Sequence, residues 1–493
     1  TVKIDNTVNA NNIKVNIVNN GNIESSGNQD YTGNGILSHS NSGTSTIGNI
    51  TNNGTISGSI KDAEYGGNGV FCYSETSSSI IGNIINYGSI IGSDPGAGSY
   101  TGNGIFCYSE TSSSRIRKIE NYGIISGSAN SGDYAGNGIY SYSNLSSIIE
   151  NIINYGSIRI NTGNVGHGIH SLSETSNSTI RDIKNYGVIS VNGYTRGNGI
   201  YSSSNSSSST IGNITNNGII IANNRSDYFT GNAIFSFASS NSIIGNTTNY
   251  GIISGNSESG SEEYTGCGIS SYSSKEASTI GDITNYGSIS GSSNGGDNSG
   301  NGIFSYSTKG ASAIGDIKNY GIISGNSDGG KYSENGISSY SNSGSSTIES
   351  ISNSGVIMGE RNGIYIGGDS NSKINDYNNY GLVIGQMPVL VDKDSSGTNT
   401  FTNPEGQGMA ITLDTDANGK ITIKSIAHGN GTGVSAEGYS IINTELRDSS
   451  GNIVTTGAVD TYTKYTNDEN ISNSIINGAG VNSGTVTIEA DKN

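Results

Sequence analysis

Tryptophan is absent from this 493-residue chain, and proline, cysteine and methionine occur three times each. Leucine is almost as scarce, standing only at positions 37, 145, 172, 382, 390, 413 and 446. With so little of it, amphipathic helices have few apolar residues to be built from. The cysteines show no C-x-x-C spacing, which excludes zinc ribbons and a disulfide scaffold. Positive charge is also short: 23 Lys and Arg face 40 Asp and Glu, a net charge of −17. Nucleic acid is therefore not an expected partner, since phosphate binding needs clustered cations. No apolar run approaches the roughly 18 residues of a membrane-spanning helix. Length alone suggests about three ordinary domains. A hydrophobic content of 31% argues against them.

What the chain does have is 75 glycines and a repeat. One anchor is G-N-G-I, at Gly33–Ile36, Gly102–Ile105 and Gly136–Ile139, with G-N-G-V at Gly67–Val70 and altered copies up to Ile364. The other is N-x-G, centred on Gly21, Gly54, Gly88, Gly123 and onward to Gly381. Successive anchors lie 26 to 36 residues apart, most often 34. Disordered sequence has no reason to hold two anchors in phase over that distance, so the chain reads as a solenoid. Each unit contains three short Ile-rich pieces, as in 102–109, 114–121 and 122–127. Such runs suit strands and are too short for helices. The expected fold is an all-β, right-handed parallel β-helix of about 11–12 coils over residues 1–385. Residues 386–493 are expected to form a β-rich cap or extension with hairpins, turning around Ser396–Gly397, Asn418–Gly419 and Ser450–Gly451. Coils stacked about 4.8 Å apart make a rod about 50 Å long.

Stacking puts equivalent residues into ladders. Asn86, Asn121, Asn154, Asn185, Asn216, Asn249, Asn285 and Asn319 are expected to form an inward amide ladder at a corner. Tyrosines recur in three sets. The first is Tyr73, Tyr108, Tyr142, Tyr272, Tyr306 and Tyr340; the second follows the asparagine at 87, 122, 155, 186, 250, 286, 320 and 380; the third precedes G-N-G at 31, 65, 100, 134, 264 and 332. Along Ile105–Ser109 the isoleucine and the small residue are expected inside, with positions 106 and 108 outside. Position 106 becomes His170, Ser270 and Ser338 in other coils, a change better suited to a surface. Exposed tyrosines suit glycan or protein recognition, and the first set is the candidate binding ladder. The alternative is that rings stack on one another and cover the turns.

Other residues suggest less chemistry. Cys72 and Cys107 occupy one position in consecutive coils, close enough for a disulfide, though stacked thiols fit an in-register ladder better. His167 and His170, three apart in a strand, are expected on opposite faces. Asp282 and Asp316 form an acidic pair of the kind a glycosidase uses, with Lys318 nearby, but read as solvated substitutions. Asp414-x-Asp416-x-Asn418-Gly419 matches half a calcium loop, yet position twelve is Ser425, so a hairpin turn is preferred. Gly296–Gly300 resembles a serine-protease motif with an inserted Asn298. No catalytic residue, cofactor or metal site is expected.

The repeats N-Y-G-x-I-x-G and G-N-G-I-x-S-Y-S resemble the passenger regions of autotransporters, the type V secreted surface proteins of Gram-negative bacteria, over about residues 10–385. The resemblance implies a β-helix displayed beyond the outer membrane, where most members act in adhesion, aggregation or toxicity. The sequence shows neither signal peptide nor translocating barrel, so a processed passenger is expected. The implied role is a non-catalytic secreted or cell-surface rod with a glycan or protein receptor. A self-assembling filament and a β-helix polysaccharide lyase or hydrolase are the alternatives.

Overall fold

The computed structural model describes residues 2–5, 15–160, 166–192, 197–225, 229–258, 263–368 and 371–393, together with strand segments beyond residue 409. Among these residues every regular element is a strand. One turn shows the plan: Ile105–Ser109, Ser114–Asn121 and Ile124–Gly127 each enter a different sheet. Equivalent strands of successive turns pair in parallel and in register, Ile105 with Val70 and Ile139, Ile116 with Ile81 and Ile149. The result is a parallel β-helix of about ten regular turns with a period of about 34 residues. A preceding turn built on Val2–Asp5 and Val15–Asn19 continues the same sheets.

The lumen is a column of isoleucines. Ile105, Ile116, Ile119 and Ile125 of one turn stack on their counterparts, and the buried cluster runs from Ile17 to Val383. β-Branched side chains pack well on a pleated surface, and full burial of each stabilises the rod by about 1.5–3 kcal/mol. The second strand departs from simple alternation. Ser114, Ile116, Ile119 and Asn121 all point inward, so one extra residue at Arg117–Lys118 shifts the phase. In three turns the strand breaks there, as between Ile211 and Ile214.

The first sheet requires a correction. Phe71, Tyr73, Phe106 and Tyr140 are fully buried, and Tyr108 and Tyr142 nearly so. Outside the lumen, positions 106 and 108 form a second apolar cluster, covered by Tyr31, Tyr65, Tyr100 and Tyr134 from the loops. Ser270 and Ser338 are buried there too, their hydroxyls without hydrogen-bond partners. Polar replacement thus does not mark a surface: Tyr264 and Tyr332 remain in the loops of those two turns.

Parallel pairing runs on past residue 385. Met387–Lys393 joins the first sheet beside Asn362–Gly368, and Met409–Thr415 joins the third beside Leu382–Gly385. Ile421–His428 then turns back antiparallel on Met409–Thr415. Two short antiparallel pairs follow, Ser440–Ile442 with Glu445–Arg447 and Ser474–Gly478 with Val486–Ala490. The turns expected around Ser396–Gly397, Asn418–Gly419 and Ser450–Gly451 lie outside the described residues, as do Asp416 and Asn418 of the half calcium loop.

Candidate ligand-binding surface

Two asparagine ladders fix the corners from which the tyrosines project. In the first, Asn86 Nδ2 donates to Asn121 Oδ1 at 2.8 Å, Asn121 to Asn154 and Asn154 to Asn185, each also at 2.8 Å. The chain continues through Asn216, Asn249, Asn285 and Asn319 to Asn353 and Asn379, and begins at Asn19. Each amide also donates to a carbonyl of the next turn, as Asn86 does to Ile124 at 3.0 Å. The main-chain carbonyl of Asn86 accepts the N–H groups of both Tyr122 and Gly123. That double acceptance sets the corner and turns the tyrosine outward.

A second ladder, which the sequence reading did not assign, runs through the G-N-G asparagines in the opposite sense. Asn68 Nδ2 donates back to Asn34 Oδ1 at 3.0 Å, Asn103 to Asn68 at 3.0 Å and Asn137 to Asn103 at 2.9 Å. These amides also hold carbonyls of the aromatic loop, Asn34 bonding Tyr31 O at 3.0 Å. Tyr31, Tyr65, Tyr100, Tyr134, Phe229, Tyr264 and Tyr332 all have φ between 56° and 61°. A left-handed L-residue costs about 1–2 kcal/mol. Ring stacking offsets it: Tyr100 lies 5.0 Å from Tyr65, 5.2 Å from Tyr134 and 5.4 Å from Tyr108. The kink is what folds the loop ring back over the first sheet.

The three tyrosine sets therefore differ in exposure. The first is the inner layer of that aromatic cluster: Tyr73, Tyr108, Tyr142 and Tyr306 are buried, and Tyr272 and Tyr340 are half-buried. An exposed stripe at this position is corrected to a covered one, because the third set lies on top. The second set is the exposed one. Tyr87, Tyr122, Tyr155, Tyr186, Tyr250, Tyr286 and Tyr320 are between 42% and 54% exposed. Their rings stack with centroids 4.8–5.0 Å apart and planes within 15°. Each ring's faces are thus turned to its neighbours, and the edges and hydroxyls to solvent. The stack is interrupted where Asn217 takes the place of a tyrosine, between Tyr186 and Tyr250.

The remaining candidates have structural partners. Cys72 and Cys107 face each other across paired strands as free, buried thiols, and Cys107 Sγ donates to Ser79 O at 3.3 Å. Burial pushes the Cys107 thiol well above its ordinary range, and that of Cys267 up to about 12. His167 and His170 do not lie on opposite faces; their ring centroids are 4.5 Å apart. His167 sits in the turn before the strand Ile169–Ser173, where the two-residue period does not apply. Its Nδ1 accepts the Asn198 N–H at 2.9 Å, replacing a ladder amide. Burial, then the neighbouring His167, holds His170 well below the usual imidazole range.

Asp282 Oδ1 accepts the Asp316 N–H at 3.0 Å, and Asp316 accepts the Ser350 hydroxyl at 2.7 Å. Asn49 and Asn213 make the same rung-to-rung contact in other turns. Ser299 is buried and donates to Asp297 O at 3.0 Å. Among the described residues no group of three or more His, Cys, Asp or Glu is placed to hold a metal ion. No helix of the described residues is long and apolar enough to cross a membrane.

Comparison with protein-family models, curated proteins and solved structures finds no match. The surface must therefore be read from its own geometry: a rod with a column of tyrosine edges and hydroxyls at one corner, beside a sheet face that mixes Thr, Ser and Asn with Ile85, Glu120, Ile153, Lys184 and Lys318.

Proposed function

We propose that the chain is the rod of a secreted bacterial surface protein, of autotransporter-passenger type, that adheres to a glycan or protein receptor and carries no catalytic centre. The exposed second tyrosine ladder carries this reading. Large, rigid, amphipathic rings in a column, with exposed aliphatic residues such as Ile124 and Ile252 beside them, are the composition of recognition surfaces. An acidic rod with few cysteines and a fold that grows by adding coils also suits export and display. The interlocked roles of Asp282 and Asp316 favour structure over glycosidase chemistry.

The test uses the full chain on cells and on a glycan array. Tyr122, Tyr155 and Tyr186 would be changed together to Asn, the residue the chain itself carries at 53 and 217. Binding is expected to fall by tenfold or more, about 1.4 kcal/mol, with an unchanged far-UV spectrum and melting temperature. Full binding by the variant would refute the role of the ladder. Surface labelling of the producing cells tests display, and protein found only in the cytoplasm would refute it.

A further inference from the structure

The exposed tyrosine ladder is broken at Asn217 and Ser354, each with a tyrosine one turn before and one turn after: Tyr186 and Tyr250, Tyr320 and Tyr380. The turn before each break carries the same sequence. Asp182-Ile183-Lys184-Asn185-Tyr186-Gly187 and Asp316-Ile317-Lys318-Asn319-Tyr320-Gly321 are the only copies of D-I-K-N-Y-G in the chain. No other turn places a lysine two residues before the ladder tyrosine: Ile85, Glu120, Ile153, Thr248, Thr284 and Asn378 stand there instead. Lysine therefore occurs only where the following turn lacks the ring.

Both lysines are exposed, and neither makes an ion pair or side-chain hydrogen bond among the described residues. Asp182 and Lys184, two apart on Ser178–Asn185, share its outward face, as Asp316 and Lys318 do on Ser312–Asn319; Tyr186 and Tyr320 project outward from the corner that follows. One turn on, the floor is small and polar: Thr215 and Asn217 in the first notch, Ser352 and Ser354 in the second. Tyr186 stacks on Tyr155 on one side only, so its other face looks across Asn217 towards Tyr250.

We propose that these two notches are subsites for a sugar ring bearing a single anionic group, as in a uronic-acid polysaccharide. The ring lies on the free face of Tyr186 or Tyr320. Lys184 or Lys318 holds the carboxylate, the charge-assisted contact that the site provides. Asp182 or Asp316 and the Asn, Ser and Thr of the floor bond sugar hydroxyls. Tyrosines two rungs apart have ring centres about 10 Å apart, the space that Tyr122 fills between Tyr87 and Tyr155 at 4.9 Å from each; size therefore admits any flat or puckered ring, and the lysine and the hydroxylated floor favour the acidic sugar. The notches lie four turns apart, about 19 Å, so a polymer long enough to reach both gains avidity.

This inference deepens the adhesion reading and rests on it. Titration of the full chain with polygalacturonate is expected to give salt-sensitive binding. Neutral dextran, polyglutamate and a single-stranded oligonucleotide are expected to bind at least about tenfold more weakly. The exposed double variant Lys184→Gln/Lys318→Gln should lose about tenfold in affinity for polygalacturonate, and Tyr186→Asn/Tyr320→Asn a similar factor. Lys309→Gln, an exposed lysine away from the ladder corner, should change little. Wild-type-like binding by the lysine variant, or polyglutamate or the oligonucleotide binding as well as polygalacturonate, would overturn the subsites. So would failure of the wild type to bind polygalacturonate at all. If the wild type still adhered to cells, the adhesion reading would survive that failure.

Discussion

Asn154 gives the sharpest test of how the rod is held together. Its side chain is fully buried. Nδ2 donates to Asn185 Oδ1 at 2.8 Å and to Val188 O at 3.1 Å, and Oδ1 accepts from Asn121 Nδ2 at 2.8 Å. Alanine removes these three contacts and the longer bond from Nδ2 to Gly156 O at 3.3 Å. Asn121 Nδ2 keeps Gly123 O and Ser157 O, both at 3.1 Å, so its loss falls at the low end. Asn185 Oδ1 loses its ladder donor and stays buried, which costs about 1–3 kcal/mol. Together with the lost bonds, Asn154→Ala should cost about 3 kcal/mol.

A repeat rod opens locally and need not unfold in one step, so hydrogen exchange followed by mass spectrometry is the better assay. Protection in strands Ser147–Asn154 and Ser178–Asn185 should fall by about a hundredfold, the equivalent of 3 kcal/mol. Asn154→Asp goes further, since its new oxygen faces Asn185 Oδ1 and its charge is buried. Burial raises that carboxyl above its ordinary value of about 4. The variant should thus be most stable relative to wild type below about pH 4 and lose ground as pH rises through the raised value. A drop in protection no larger than that of exposed Tyr155→Asn would refute the ladder as a structural element.

Three further outcomes follow from single residues. Glu334 stands where other turns have glycine and adopts φ 66°; burial, opposed by Arg361, raises its carboxyl from 4.5 to about 7. The folded state prefers the neutral acid, so its favourable contribution is present below pH 4.5 and lost between there and about pH 7. Thermal melts of Glu334→Gln should lack that loss, and Glu334→Gly should add about 1 kcal/mol by removing the left-handed strain; a wild-type pH profile in either variant would contradict this. Tyr100→Asn keeps a residue that tolerates positive φ but removes a ring from the aromatic layer. It should destabilise by about 2 kcal/mol in urea titration, and a loss below about 0.5 kcal/mol would refute the ring's covering role. The three cysteines should resist an aromatic disulfide reagent in the native protein and all react in denaturant; labelling of any one within minutes under native conditions would show that its turn opens.

The sequence made the helical stack and the first amide ladder legible, because both repeat a side-chain chemistry at a fixed place. Asn121 announces itself by recurring as Asn86 and Asn154. The outer face of the first sheet was not legible, because what covers Phe106 is Tyr100, and only the left-handed kink at Tyr100 turns that ring back. Composition along the strand carries no trace of the kink. The second amide ladder was present in the G-N-G spacing, but a Gly-flanked asparagine reads first as a turn residue. His167 and His170 were separated by a two-residue period that holds within the strand Ile169–Ser173 and fails in the turn before it, where His167 lies. The interrupted tyrosine ladder lay open in the sequence, yet it becomes a feature only when the register shows Asn217 directly between Tyr186 and Tyr250.

In a stacked repeat, recurrence is explained by the stack itself. Each ladder residue is required by the one above and the one below, so Asn86 or Ile105 needs no partner outside the rod to account for it. A residue that departs from the ladder has no such reason, and it carries information in proportion to the cost of departing. Cys267 and His167 replace ladder asparagines while keeping rung contacts, so their substitution is tolerated by the stack. Asn217 and Ser354 are different: each removes a ring stacked at about 4.9 Å in neighbouring turns, giving up roughly 0.5–1.5 kcal/mol of ring contact. Both losses fall one turn after a lysine that the stack does not need. Two independent departures that coincide twice, four turns apart, are hard to derive from folding alone, and a ligand that touches both residues at once accounts for the pairing.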